Sequence, residues 1–303
     1  ADMKLQADGN FGEWITVGGN HFYPGYIIKG RKKRLMIDAG INMMGPAYIA
    51  SLEKIFGDKN ALDYVFATHS HFDHLGAIPY LKRKLPHLQA GAARRVGALM
   101  QKQSVLDLMT TLSELQRFFF QDIVGNEDVH IEPVDFEITL KEGDRFDLGG
   151  VTCEVYDVPG HTGDSLAFFI PEIRALFAGE AYGIPEGDKD GEVQVEFLSS
   201  YEDYVSSLEK MIRLQPKLIG MAHLWVFTDD DATAFLRRSL EATPRYRQLI
   251  ETYLDAANGD IDTAVQSMVK KEYDEKGTIA QPREAYIQNL NAQVRRVASI
   301  RTQ

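Results

Sequence analysis

Apolar and polar positions along this chain change period several times, and each change marks an element. Residues 14–17, 25–28 and 34–37 are short apolar runs separated by turn residues and read as successive strands. Residues 46–56 shift to helical spacing, and Leu62-Asp63-Tyr64-Val65-Phe66-Ala67-Thr68 returns to a buried-strand pattern. A short amphipathic helix is predicted from Leu75 to about Leu85. Residues 146–148, 151–155, 166–170 and 175–178 form a second strand series. A helix is predicted from Tyr201 to Leu214, with Val205, Leu208, Met211 and Ile212 on one face. Residues 218–223 read as a further strand. Strands that alternate with helices imply an α/β chain, α+β in some schemes.

Two regions read as almost wholly helical. Residues 94–128 carry Leu99, Leu106, Leu108, Met109, Leu112 and Leu115, which predict one or two helices as an insertion before Phe118-Phe119-Phe120. The tail from about residue 229 to 303 predicts several more. Thr228 or Asp229 starts the first, and Thr243-Pro244 supplies a cap and first-turn proline for the next. Asp260 or Asp262 starts a third, and residues 283–301 make the last. One face of this tail is too apolar to stand alone. The expected organisation is therefore a catalytic domain over 1–228 and a helical extension over 229–303 packed on it.

Composition narrows the function classes. The chain carries 33 Lys and Arg against 44 Asp and Glu, a net charge of −11. That argues against general binding to nucleic acid or to an anionic membrane, both of which need basic patches. No long apolar span or signal peptide is read, so a cytoplasmic location is the default. Ala1-Asp2 ahead of Met3 reads as an expression scar, and a native leader is not excluded. A single cysteine, Cys153, rules out an internal disulfide and reads as a packed thiol in a strand.

The chemistry concentrates in Thr68-His69-Ser70-His71-Phe72-Asp73-His74. Three of the chain's eight histidines and one carboxylate fall there in the order His-x-His-x-Asp-His. Imidazole nitrogen and carboxylate oxygen suit zinc, iron or manganese. The cluster leaves a strand and enters a helix, the edge at which α/β proteins usually bind ligands. If the chain stays extended beyond Thr68, strand alternation points His69 and His71 to one side.

This motif resembles the signature of the metallo-β-lactamase-fold superfamily. Four further segments extend the resemblance: Leu35-Met36-Ile37-Asp38-Ala39-Gly40, Val158-Pro159-Gly160-His161-Thr162-Gly163-Asp164-Ser165, Ala175-Leu176-Phe177-Ala178-Gly179-Glu180 and Leu218-Ile219-Gly220-Met221-Ala222-His223. The order and spacing fit over roughly residues 11–228. The resemblance implies a four-layer αββα sandwich with the metals at one edge between the sheets. It implies His69, His71 and His161 for a first metal and Asp73, His74 and His223 for a second. Glu180 stands where the family has a bridging aspartate, and its extra methylene leaves second-metal occupancy open. Zinc is the first expectation, with iron or manganese as the alternatives. Asp38 and Ser165 are expected to brace ligands from behind. His21, Tyr182, Trp225 and Phe227 are expected to line the pocket.

The chemistry implied is hydrolysis by metal-activated water, with Asp73 orienting the water or carrying a proton. An ester, thioester or lactone is the first substrate class, and a phosphodiester is the closest competitor. The tail and residues 74–88 loosely resemble the quinolone-signal response proteins, which add C-terminal helices and have thioesterase activity. From other classes come an iron-dependent oxidoreductase similar to the sulfur dioxygenases, and a regulator with a vestigial site. The partners expected are a small-molecule substrate and a second copy of the chain, through the insertion or the tail.

Overall fold

The computed structural model describes residues 4–186 and 192–301. The start of the chain, where Ala1-Asp2 precede Met3, lies outside the described residues. The fold is mixed α/β, as the alternation of elements predicts. The described residues divide into two compact units. One takes in residues up to 157, 164–179 and 217–229; the other takes in 158–163, 180–216 and those from 230 onward.

The first unit is built on two seven-stranded sheets. One runs in the order Asn10–Phe11, Ile15–Asn20, Tyr23–Lys29, Arg34–Ile37, Tyr64–Phe66, Gln89–Ala93, Ile138–Leu140. It begins antiparallel and turns parallel from Arg34–Ile37 onward. The other runs Lys4–Gln6, Trp225–Thr228, Leu218–Gly220, Ala175–Phe177, Leu166–Ile170, Thr152–Asp157, Arg145–Asp147.

Strand alternation divides the apolar residues between two cores. Ile28, Leu35, Ile37 and Phe66 meet Val155, Phe168, Phe177 and Val226 in the layer between the sheets. Ile27, Met36, Val65 and Ala90, one register step away, point outward to Tyr48, Leu52 and Leu81 of the helices Gly45–Phe56 and Ile78–Lys84. Cys153 is fully buried in the inter-sheet core, and burial pushes its thiol pKa up, so it is a packing residue.

The insertion forms three helices, Arg94–Leu99, Gln103–Glu114 and Arg117–Val124, one more than the sequence predicts. Leu106, Met109 and Phe120 anchor them to the core, while Leu115, Phe118 and Phe119 stay exposed. His130 sits in an exposed loop between Asp128 and Glu132.

The second unit is mainly helical: Tyr201–Arg213, Asp229–Ala256, Ile261–Met268 and Arg283–Arg301, with a small hairpin from Ile184–Pro185 and Val193–Gln194. Ser200 caps the first of these helices through Asp203 N, and Asp260 caps the third through Thr263 N. The predicted break at Thr243-Pro244 does not occur. A single 28-residue helix runs through it. Proline removes one helical hydrogen bond, but the Thr243 hydroxyl donates to Ser239 O (2.8 Å), and both of these residues lie on the buried face of the helix. Packing of that face outweighs the local stop signal. A π-helical segment, Val269–Glu275, follows the third helix and has no signature in the sequence pattern.

No helix of the described residues is long and apolar enough to cross a membrane.

Candidate metal centre

In the first unit the motif strand ends sooner than its apolar pattern predicts. It spans Tyr64–Phe66, and His71 is already the N-cap of the short helix Phe72–Leu75. His69 and His71 therefore come together across a bend rather than by strand alternation. Their rings stand edge to face at 4.6 Å, and His69 lies 4.2 Å from the ring of His74.

Asp38 organises this bend. It leaves strand Arg34–Ile37 with a left-handed φ of 60°, uncommon for a residue with a side chain. Its Oδ1 accepts from Thr68 N (2.8 Å), and its Oδ2 accepts from Thr68 Oγ1 (2.9 Å) and His74 Nδ1 (2.8 Å). Thr68 Oγ1 spends its proton on Asp38, so it accepts from His69 Nδ1 at 3.0 Å. One buried carboxylate thus sets the tautomer of one ring directly and of a second through a hydroxyl. Gly179 is needed beside it, because a Cβ there would lie 3.1 Å from the His69 ring at a φ of 56°.

His223 reaches the same group from the turn between Leu218–Gly220 and Trp225–Thr228. Its Nδ1 donates to Phe22 O (2.6 Å), and its Nε2 faces Asp73 Oδ2 at 3.4 Å. His74 Nε2 lies 4.0 Å from Asp73 Oδ1. One donor atom each from Asp73, His74 and His223 falls within 4.8 Å of the others. His69 and His74 are buried, whereas Asp73 and His223 keep 22% side-chain exposure, which leaves a way in for solvent.

Around this group, Ser165 is buried at the start of strand Leu166–Ile170, and Asp164 accepts from Ser70 N at 3.3 Å. His21 stacks on Phe22 at 4.3 Å, and its carbonyl accepts from Leu224 N, so the hairpin turn and the His223 turn hold each other. Trp225 and Phe227 share the strand face opposite Val226, away from the inter-sheet core.

Tyr23 was not singled out by sequence reasoning, because it reads as an ordinary strand aromatic. Its ring meets His223 edge-on at 5.5 Å, and its hydroxyl pairs with Gln116 of the insertion at 2.5 Å. Burial, reinforced by the negative charge of Asp73, pushes its phenol pKa up, so it remains a neutral hydrogen-bonding group.

The second unit presents its own pair. His161 is buried, donates Nδ1 to Glu196 O at 2.7 Å, and turns Nε2 toward Glu180 Oε2 at 3.7 Å. The Pro-Gly-His turn is pinned in place. Gly160 O accepts from the amides of Leu198, Ser199 and Ser200, and Ser207 Oγ donates to Pro159 O. Gly160 has a φ of 131°, and a Cβ there would lie 2.4 Å from the Tyr204 backbone. Tyr182 is fully buried two positions after Glu180.

The donor set fits a divalent metal. His74, His161 and His223 each commit Nδ1 to an oxygen that can only accept, and His69 commits its own to Thr68. All four rings therefore keep the lone pair on Nε2, the form that binds metal, with the outer nitrogen held as metal sites require.

Comparison with known proteins agrees. Residues 21–223 match the family model of the metallo-beta-lactamase superfamily. A metallo-beta-lactamase fold-containing protein of Sulfurisphaera tokodaii is 30% identical over 208 residues, 65% of this chain and 71% of that protein. An acyl-coenzyme A thioesterase of Gallus gallus is 26% identical over 197 residues, 62% of this chain and 66% of that protein. The solved structure of a metallo-beta-lactamase family protein from Thermus thermophilus shares the fold at 14% identity, covering 99% of this chain and 93% of its own, with a TM-score of 0.61. The chain spans only 34% to 49% of the length of several further curated relatives.

Proposed function

The chain belongs to the metallo-β-lactamase superfamily, and from this premise we propose that it is a metal-dependent hydrolase that cleaves a thioester. Its metal ligands on this reading are His69, His71 and His161 for one ion, and Asp73, His74, Glu180 and His223 for the other. The observation that carries the reading is the set of four imidazoles held in the Nε2-binding form by acceptors at Nδ1. The likeness to a thioesterase supports the choice of bond.

When bound, a divalent ion supplies Lewis-acid charge that brings the pKa of water toward neutrality and polarises the acyl oxygen. The chain's own residues do the rest. Asp73, partly exposed beside His223, orients the attacking water. The neutral Tyr23 hydroxyl and the His223 ring wall one side of the entrance. Glu180 carries one methylene more than the aspartate expected there, so its reach toward the second ion depends on its rotamer. Cys153 is buried and unavailable as a nucleophile, which leaves the water as the attacking group.

The test is a purified preparation with measured zinc, iron and manganese content, assayed against acyl-coenzyme A thioesters, aryl esters, lactones and bis-nitrophenyl phosphate. Thioester turnover that tracks metal content supports the proposal. Turnover of the phosphodiester alone replaces it, and oxygen consumption by an iron-loaded preparation points to oxidative chemistry instead.

A further inference from the structure

His161 owes its tautomer to a main-chain carbonyl, that of Glu196, and this strand segment is held by the C-terminal helix. Within the second unit, Asn289 Nδ2 donates to Glu196 Oε2 at 3.0 Å. One residue earlier, Val195 O accepts from Gln293 Nε2 at 2.6 Å. One residue earlier again, Gln194 Nε2 donates to both Gln281 Oε1 (2.8 Å) and Glu196 Oε1 (2.5 Å). Asn289 and Gln293 stand four apart on helix Arg283–Arg301 and so share one face. Tyr246 OH donates to Gln293 Oε1 at 3.0 Å and orients that amide.

These groups are expensive to bury. Glu196 is 1% exposed and Gln293 2%. A buried carboxylate or amide costs free energy unless its hydrogen bonds are made, and such networks specify one arrangement when they are. Apolar side chains would have packed here without that cost. Both oxygens of Glu196 are engaged by neutral amides, its own carbonyl is the atom hydrogen-bonded to His161 Nδ1, and its Oε2 lies 3.9 Å from that same nitrogen.

We propose that Glu196 is a positioning residue for His161, and that the helix Arg283–Arg301 holds it through Asn289 and Gln293, making the C-terminal extension a determinant of metal retention. The proposal rests on His161 being a metal ligand.

The experiment measures zinc retention by the full chain against a chromophoric chelator, together with thermal melting and circular dichroism. Asn289→Asp sets a second carboxylate against Glu196 and should weaken zinc retention by about 10–100-fold, the range for loss of a partner behind a ligand. The double variant Glu196→Gln with Asn289→Asp exchanges amide and carboxylate, keeps the bond from Gln194 possible, and should recover most of that loss. Gln288→Asp, on an exposed neighbour in the same helix, should change nothing. If Asn289→Asp does not fold, Asn289→Ala carries the test, since it removes the donor without adding charge. Zinc retention unchanged in both Asn289 variants, with zinc lost in His161→Ala, overturns the positioning role alone. Full zinc content in His161→Ala overturns the ligand assignment and the inference with it.

Discussion

His74 and His161 solve one problem by different means. Each buried ring must keep its Nδ1 proton so that Nε2 stays open. His74 gives that proton to the Asp38 carboxylate, 36 positions earlier, and His161 gives it to a main-chain carbonyl 35 positions later. A charged acceptor binds the more strongly and favours a developing positive charge on the ring. A main-chain acceptor depends on where the backbone is held, so the burden passes to Gln194, Asn289 and Gln293. The difference teaches that His74 is supported by one side chain directly, whereas His161 depends on the residues that hold the backbone bearing its acceptor.

The sharpest way to break this comparison is to remove a ligand. His69→Ala should lose metal and turnover together, beyond the ~10–100-fold typical of losing a supporting partner. Retained turnover without metal, read by elemental analysis and a thioester assay, would refute the mechanism.

Asp38→Ala comes next. It strands three donors, Thr68 N, Thr68 Oγ1 and His74 Nδ1, at a buried position. At 1–3 kcal/mol for each buried unsatisfied group, a loss on the order of 3 kcal/mol is expected. Asp38→Asn keeps the tolerance for left-handed φ and should cost less stability while still weakening metal binding. Denaturant melts and chelator competition separate the two effects.

Gly160→Ala should destabilise by roughly 2 kcal/mol through backbone strain and the Tyr204 clash. Its metal affinity should fall with it, because the turn carries His161. A melting temperature equal to that of the parent would mean that the turn relaxes freely.

The smallest effect is expected at Pro244. Pro244→Ala restores an amide to helix Asp229–Ala256 and should stabilise by about 1 kcal/mol. Destabilisation would show that packing there depends on the proline ring.

Much of the candidate site was legible in residue order. His69, His71, Asp73, His74, His161, Glu180 and His223 stand in recognisable segments, and Asp38 could be read because its acceptor is a side chain next to Gly40. Tyr23 and Glu196 were not. Tyr23 carries the pattern of a core strand. Glu196 is a lone carboxylate in Val193-Gln194-Val195-Glu196-Phe197, a weak signal whose partner Asn289 lies 93 positions away. Elements with a clean period were found, such as Arg283–Arg301. Those decided by competition were misread. The strand before the motif stops at Phe66 because Asp38 draws the backbone of Thr68 into a bend. The long helix runs through Thr243-Pro244 because one face of it, with Ser239, Thr243 and Ile250, is buried on both sides of the proline.

The sequence by itself determined the class of fold, the donor atoms and their order, because period, ligand type and spacing are local properties of the chain. Only the tertiary structure decided which nitrogen of each imidazole is open, since that depends on an acceptor supplied from elsewhere. Asp38, Phe22 and Glu196 acquire that role by position in space, and a main-chain carbonyl carries no mark in the sequence to announce it.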